Sequence, residues 1–416
     1  MKKTSDVLVI GAGVYGTSVA YSFAKRGCSV TLIDASKPGK ATAASAGGLW
    51  AIGESVGLGC GVIFHNADEV SSTEPEPVPR LFMHLLKASN KMFAELAPEL
   101  LLQTGMDIEA EVGTGLLYLL YNGRQRRHAQ SILDWLGRDQ ALAEEWDRQR
   151  VLAHDPHITD DVLGAVHFPG DNQVNPLFLN EALKRAAINL GARFAGDTHV
   201  TDLLMADGKI TGVATTQGVF CSGLVINAAG AWAAKLANMI DQDIPLVPVR
   251  GQIIGTETLQ DKLKSNISTV DCYILQKAHG EVLIGSTTEM VGFDTGVNYE
   301  MLTDLARGAI RAIPALERVN IKRTWSGLRP GTPDELPVLG QSPEIANFHY
   351  ATGGFRTGIV SAPLCGELVV ANALGEKPRM SINPFLPRRF NGLPKLKHVK
   401  TPRSAIQPDA APPQSV

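Results

Sequence analysis

At 416 residues the chain is about two to three times the length of a typical domain, so it holds either two domains or one large discontinuous one. Apolar residues make up 44% and charged residues 19%, and 39 basic against 42 acidic side chains leave a net charge of −3, which excludes a disordered chain and a protein that coats nucleic-acid phosphate. The five cysteines are far apart and never form a C-x-x-C pair, so neither a disulfide framework nor a metal or iron–sulfur cage is encoded. A reducing cytoplasm fits that usage. Lys2, Lys3 and the apolar run from Val7 mimic a secretory signal, but Gly11, Gly13 and Gly16 interrupt it. No run of about 18 apolar residues follows, so no transmembrane helix is expected.

In chain order, Val7 to Ile10 reads as a β-strand, Gly11 to Gly16 as a glycine turn, Ala20, Phe23 and Ala24 as a helical face ended by Gly27, and Val30 to Ile33 as a second strand. Phe82 to Leu96 carries a helical apolar stripe, and Gly115 to Tyr121 reads as a strand. Leu179, Ala182, Leu183, Ala186 and Leu190 mark a helix stopped by Gly191, with a strand from Phe194. Leu246 to Ile254 and Tyr273 to Gly285 look like antiparallel strands, and Leu302 to Ile313 like an amphipathic helix. The fold class expected is α/β: a Rossmann-like dinucleotide domain at 1–80, 165–240 and 323–383, with a discontinuous α+β domain, mainly antiparallel sheet, at 81–164 and 241–322. From Pro384 the chain is basic and Pro-rich, and 384–416 is expected to be a solvated tail.

Gly11-Ala12-Gly13-Val14-Tyr15-Gly16 sits between a strand and a helix, and Asp34 ends the next strand. In that context the first glycine permits the turn, the second lets backbone approach a pyrophosphate, and the third lets helix pack on strand. The helix N-terminus then favours the phosphates, and Asp34 can accept from ribose hydroxyls. Nicotinamide and flavin dinucleotides share this half of the site. The small-residue run Lys40-Ala41-Thr42-Ala43-Ala44-Ser45-Ala46-Gly47-Gly48 suits backbone wrapping a flat ring, and Asn227 to Trp232 and Thr352 to Ile359 repeat the theme.

These segments, together with Pro248-Val249-Arg250-Gly251-Gln252 and Trp325-Ser326-Gly327-Leu328-Arg329-Pro330-Gly331-Thr332-Pro333-Asp334, resemble in order the glycine oxidase and D-amino acid oxidase family of FAD enzymes. Within it, Ser45 to Phe64 resembles the flavoprotein subunits of hydrogen cyanide synthases and opine oxidases. The resemblance implies FAD as cofactor, contacted by Gly11, Ala12, Gly13, Val14, Tyr15, Gly16, Asp34, Ala35, Thr42, Ala43, Ser45, Ala46, Gly47, Gly48, Leu49, Val200, Ala229, Gly230, Trp232, Arg329, Gly354, Phe355, Arg356, Thr357, Gly358 and Ile359. Asp34 stands where Glu is usual in the family, and Gln276 replaces a proline that often follows the tyrosine strand.

The arginine and tyrosine that hold the substrate carboxylate in glycine oxidase fall on Arg329 and Tyr273, a sensible pair because a guanidinium fork matches a carboxylate and a phenol adds a donor. Arg356 matches an arginine near the flavin ring. The implied reaction is oxidation of the C–N bond of a small carboxylate-bearing amine, glycine- or opine-like, by hydride transfer to flavin N5. The implied setting is a hetero-oligomer whose partner subunits carry further redox centres, with those partners as the route to any peripheral membrane contact. A free-standing oxidase using O2 and a non-catalytic flavoprotein scaffold are the alternatives. Gly53-Glu54-Ser55-Val56-Gly57 satisfies G-x-S-x-G, but the glycines after Ser55 oppose the helix a nucleophile elbow needs. His154 and His157 flank Pro156 without a third ligand, so they mark a turn and no metal is expected.

Overall fold

The computed structural model describes residues 3–57 and 77–391. Leu58 to Phe64, with Cys60, and the tail from 392 lie outside them. Two eight-stranded sheets organise the described residues. In the first, the strands Phe348–Thr352, Gly218–Asn227, Lys3–Ile10, Val30–Ile33 and Arg193–Ala195 run parallel, side by side, with Val338–Gln341 antiparallel at one edge. Their register fixes where the connecting loops emerge. Ile10 lies beside both Ile33 and Asn227, and Ile33 beside Ala195, so four strands end at one level. The segments leaving those ends must converge at the carboxyl edge of the sheet, where parallel α/β folds bind their ligands.

Helices Val14–Ala24, Pro176–Asn189 and Gly358–Leu374 cover one face of this sheet. Val7, Val9, Val19, Phe23, Leu179, Leu183, Val360 and Leu368 share one buried core. Asn175 caps the second of these helices by accepting from the Leu177 and Phe178 N–H groups, at 3.2 and 3.3 Å. The other sheet runs, in order, Ile321–Gly331, Val247–Thr258, Glu281–Gly285, Tyr273–Gln276, Asn266–Ser268, Leu116–Leu120, Gly164–Phe168 and Glu144–Asp147. Every neighbouring pair is antiparallel except Asn266–Ser268 with Leu116–Leu120. Helix Tyr299–Ala312 packs Leu305, Ala309 and Ala312 against Ile254, Ile274, Val282 and Ile284 on the face away from the cleft.

The α/β class with a mainly antiparallel second sheet stands, but four boundaries move. Helix Arg80–Thr104, expected in the second domain, buries Phe82, Leu85, Leu86, Phe93 and Leu100 in the core of the first, because its apolar stripe fits the helix layer there. Strands Gly164–Phe168 and Ile321–Gly331, assigned in part to the cofactor domain, continue the ladders of Leu116–Leu120 and Val247–Thr258 instead. The expected tail is folded up to residue 391: Phe385 and Phe390 are buried, and Arg389 bonds to Asp334 at 2.7 Å and to the Leu336 carbonyl at 2.9 Å. Apolar contact and a paired charge hold what composition alone assigns to solvent. No helix among the described residues is long and apolar enough to cross a membrane.

Candidate active site

The converging loops enclose a cleft at the carboxyl edge of the first sheet, with the second sheet as its far wall. Two helices, Val14–Ala24 and Gly358–Leu374, begin in it, so the positive ends of both face the interior. At the first, Gly16 packs so tightly that a Cβ would stand 1.8 Å from the Gly11 carbonyl oxygen, and only glycine allows helix and turn to meet there. Thr42, from the small-residue run, brings its hydroxyl to the Val14 N–H at 3.0 Å. Asp34 is buried and accepts from the Ala12 N–H at 2.7 Å and the Ser36 N–H at 2.6 Å, while Lys40 forms an ion pair with it. The buried Asn227 side chain folds the Ala228–Trp232 turn, accepting from Ala229 at 3.3 Å and donating to the Ala233 carbonyl at 2.9 Å.

On the other wall, period-2 alternation puts Gly251, Ile253, Tyr273, Leu275 and Arg329 on the cleft face. Arg329 pairs with Val249, which places it diagonally across from Gly251, and a Cβ at Gly251 would lie 2.3 Å from the guanidinium. Tyr273 lies opposite Gly285, where a Cβ would meet its hydroxyl at 2.5 Å. These two glycines make the space in which the arginine and the tyrosine reach the cleft. Arg329 donates to the Thr287 carbonyl at 3.1 Å and the Ser286 hydroxyl at 2.5 Å. Trp50 meets Tyr273 edge to face, ring centres 5.5 Å apart. Arg356 forms a nearly buried ion pair with Glu54.

Most of the residues expected to bind the cofactor line this cleft, but five do not. Ala12 and Gly16 serve the turn itself, Ala43 is exposed, Leu49 is in the core, and Thr357 bonds back to the Gly354 carbonyl to start its helix. Lys40, Trp50, Glu54, Ser286 and Thr288 line it without being expected from the sequence. Lys40 and Glu54 left a signal, solitary charges bounding an otherwise small and apolar stretch. Ser286 and Thr288 left none. Gln276, standing for the usual proline, holds the neighbouring loop by accepting from Leu263 N–H at 2.7 Å and donating to the Leu259 carbonyl at 3.1 Å. Ser55 is fully buried and bonds to the Ala51 carbonyl at 2.5 Å, away from any nucleophile's position. His157 bonds Asp155 within its turn at 2.8 Å.

Lys37, Lys40, Lys235, Arg329 and Arg356 face Asp34 and Glu54 among the described lining residues, so the cleft favours anions. Two helix N-termini, a close-packed glycine turn, an acid at the second strand end and a long cleft suited to a flat ring fit a flavin dinucleotide. With a guanidinium and a phenol at the far wall, which suit a carboxylate, the site is that of a flavin-dependent oxidoreductase.

Residues 6–372 match the DAO family, FAD dependent oxidoreductase, and the chain belongs to that family. It is 41% identical over 413 residues to hydrogen cyanide synthase subunit HcnC of Pseudomonas aeruginosa, covering 95% of this chain and 98% of that one. It is 30% identical over 399 residues to glycine oxidase of Geobacillus kaustophilus, covering 93% and 97%. The crystal structure of glycine oxidase from that organism aligns with a TM-score of 0.83 at 28% identity over 93% of this chain and 99% of that one. Iminodiacetate oxidase (IdaA) from Chelativorans sp. BNC1 aligns with a TM-score of 0.79 at 25% identity, over 92% and 98%.

One buried acid behind the cleft also shapes it. Asp171 accepts from the Ile52 N–H at 3.0 Å and the Gly53 N–H at 2.6 Å, holding the turn that presents Glu54. Burial pushes its carboxyl up to about 7 from an ordinary 3.8, against the pull of those two N–H groups. A carboxyl raised on folding stabilises fully below its unfolded value and loses that contribution as pH rises towards 7. Asp171→Asn does not titrate, so its stability deficit relative to wild type, measured by urea unfolding, is expected to shrink steadily from pH 4 to pH 7. A deficit constant across that window contradicts the assignment.

Proposed function

We propose that the chain oxidises the C–N bond of glycine or an N-substituted, opine-like amino acid, as the flavoprotein catalytic subunit of a heteromeric dehydrogenase of the hydrogen cyanide synthase or opine oxidase kind. The observation that carries the substrate class is Arg329, aimed into the cofactor cleft beside Tyr273 by two hydrogen bonds and the space at Gly251. Its guanidinium takes both carboxylate oxygens, and the Tyr273 hydroxyl supplies a further donor. Anchored at that end, the α-carbon is held in one orientation instead of tumbling. FAD, held by the Gly11–Gly16 turn and the Gly354–Ile359 segment, would supply a two-electron acceptor for the α-hydrogen and its bond pair.

Asp34 and Glu54, the two carboxylates among the described lining residues, are engaged by Lys40 and Arg356. Neither is free to act as base, so the amine enters deprotonated and its lone pair closes the C=N bond as the α-hydrogen leaves. An opine imine then hydrolyses to an amino acid and a keto acid. Glycine oxidised twice gives cyanide and carbon dioxide. The Trp50 ring, edge-on to Tyr273, narrows the space beside the carboxylate and suits a small α-substituent.

Arg329→Lys keeps the charge but loses the fork. It is expected to retain FAD, measured after acid release, while glycine or an opine reduces the flavin anaerobically with kcat/KM lowered by about 2 kcal/mol or more. Unchanged reduction by the preferred substrate contradicts the role.

The heteromeric setting is supported by identity with a synthase subunit along nearly the whole of both chains. It is also supported by the absence of any C-x-x-C pair with which this chain could hold an electron-relay cluster of its own. Tagged protein drawn from its native host is expected to bring partner subunits with it and to reduce oxygen slowly by itself. If it elutes alone and consumes oxygen as fast as it turns over its amine, a free-standing oxidase is the better account.

A further inference from the structure

The segment Pro248–Gln252 contains a buried arginine that the proposed chemistry leaves unused. Arg250 is only 4% exposed and donates to Glu289 through Nη2 at 2.6 Å and Nε at 3.3 Å, and to Asp294 through Nη1 at 2.6 Å. The backbones of Arg250 and Glu289 also exchange two hydrogen bonds, at 2.8 and 2.9 Å. Glu289 Oε1 gathers two more donors, the Thr287 hydroxyl at 2.6 Å and the Gln252 side-chain amide at 2.7 Å. The Thr287 hydroxyl in turn accepts from the Gln252 N–H at 2.9 Å. Thr287 therefore has its side chain fixed from two directions, and its carbonyl receives Arg329 Nη1.

A buried ion pair of this kind is weak evidence for stability, because desolvation opposes the attraction. What it does well is fix geometry. Thr287 and Ser286 belong to a segment that leaves its strand after Gly285, and nothing in a strand ladder orients their polar atoms towards the cleft. Glu289, held by Arg250 from across the sheet, bonds to the Thr287 side chain.

We propose that Arg250 is a positioning residue for substrate binding: acting through Glu289 and Thr287, it holds the Thr287 carbonyl that aims the Arg329 guanidinium at the carboxylate. This rests on the reading that Arg329 holds the carboxylate. A mis-set guanidinium loses bidentate contact although its charge remains, so the effect falls on carboxylate affinity and leaves the cofactor in place.

A double-mutant cycle on the holoenzyme tests it, with acetate as the probe and its binding read from the flavin absorbance. Glu289→Gln, which is isosteric, and Arg250→Lys, which keeps the charge, are each expected to weaken acetate about five- to tenfold with FAD content unchanged. In an Arg329→Lys background the same changes are expected to cost less than twofold more, because the residue they position is already gone. Losses that multiply in full, or Glu289→Gln and Arg250→Lys proteins that bind acetate as the wild type does, overturn the positioning role alone. An Arg329→Lys holoenzyme that binds acetate like the wild type, or a wild type that does not bind it, overturns the role of Arg329 and the positioning role together.

Discussion

The candidate site depends on space that two glycines leave open in the second sheet. A strand presents alternate side chains to one face, and on this face a long arginine and a tyrosine must lie almost flat against the ladder to reach the cleft. Arg329 can do so because its diagonal neighbour is Gly251, and Tyr273 because its opposite is Gly285. A methyl group at either place would stand within 2.5 Å of the polar tip. The sheet would survive such a change, since the displaced atoms are the ends of side chains. The arrangement of donors would not.

The rest of the cleft is electrostatic. Two helix N-termini and an excess of cations among the described lining residues make the cleft attractive to anions. The two acids inside it are kept from opposing this by their own partners, Lys40 and Arg356. Fixed donors in a water-poor site act more strongly than they would in solvent, so small errors of placement are costly. That is why a buried pair such as Arg250 and Glu289, which adds little to stability, has a use beside the cleft.

What the sequence makes legible is what lies close together in it. The strand, Gly11–Gly16 turn, helix and Asp34 form one local unit, and periodicity alone places Pro176–Asn189 and Tyr299–Ala312 within a few residues. Arg329 and Tyr273 are reached through resemblance, since a lone arginine or tyrosine carries no signal of what it faces. The hydrogen-bond partners of Arg329 lie more than forty residues before it, and they meet it only because Val247–Thr258 is paired with one strand on each side. Register of that kind is not written in any local pattern. The same holds for Arg80–Thr104: its stripe shows that one face is buried, but not which domain buries it.

The central claim, that open space at Gly251 lets Arg329 define the substrate, is tested most directly by Gly251→Ala. Holoenzyme of this variant is expected to keep its FAD and its melting temperature within a few degrees, and to lose at least tenfold in acetate affinity, because the added methyl displaces the guanidinium and not the backbone. Acetate binding equal to the wild type, with FAD retained, contradicts the account.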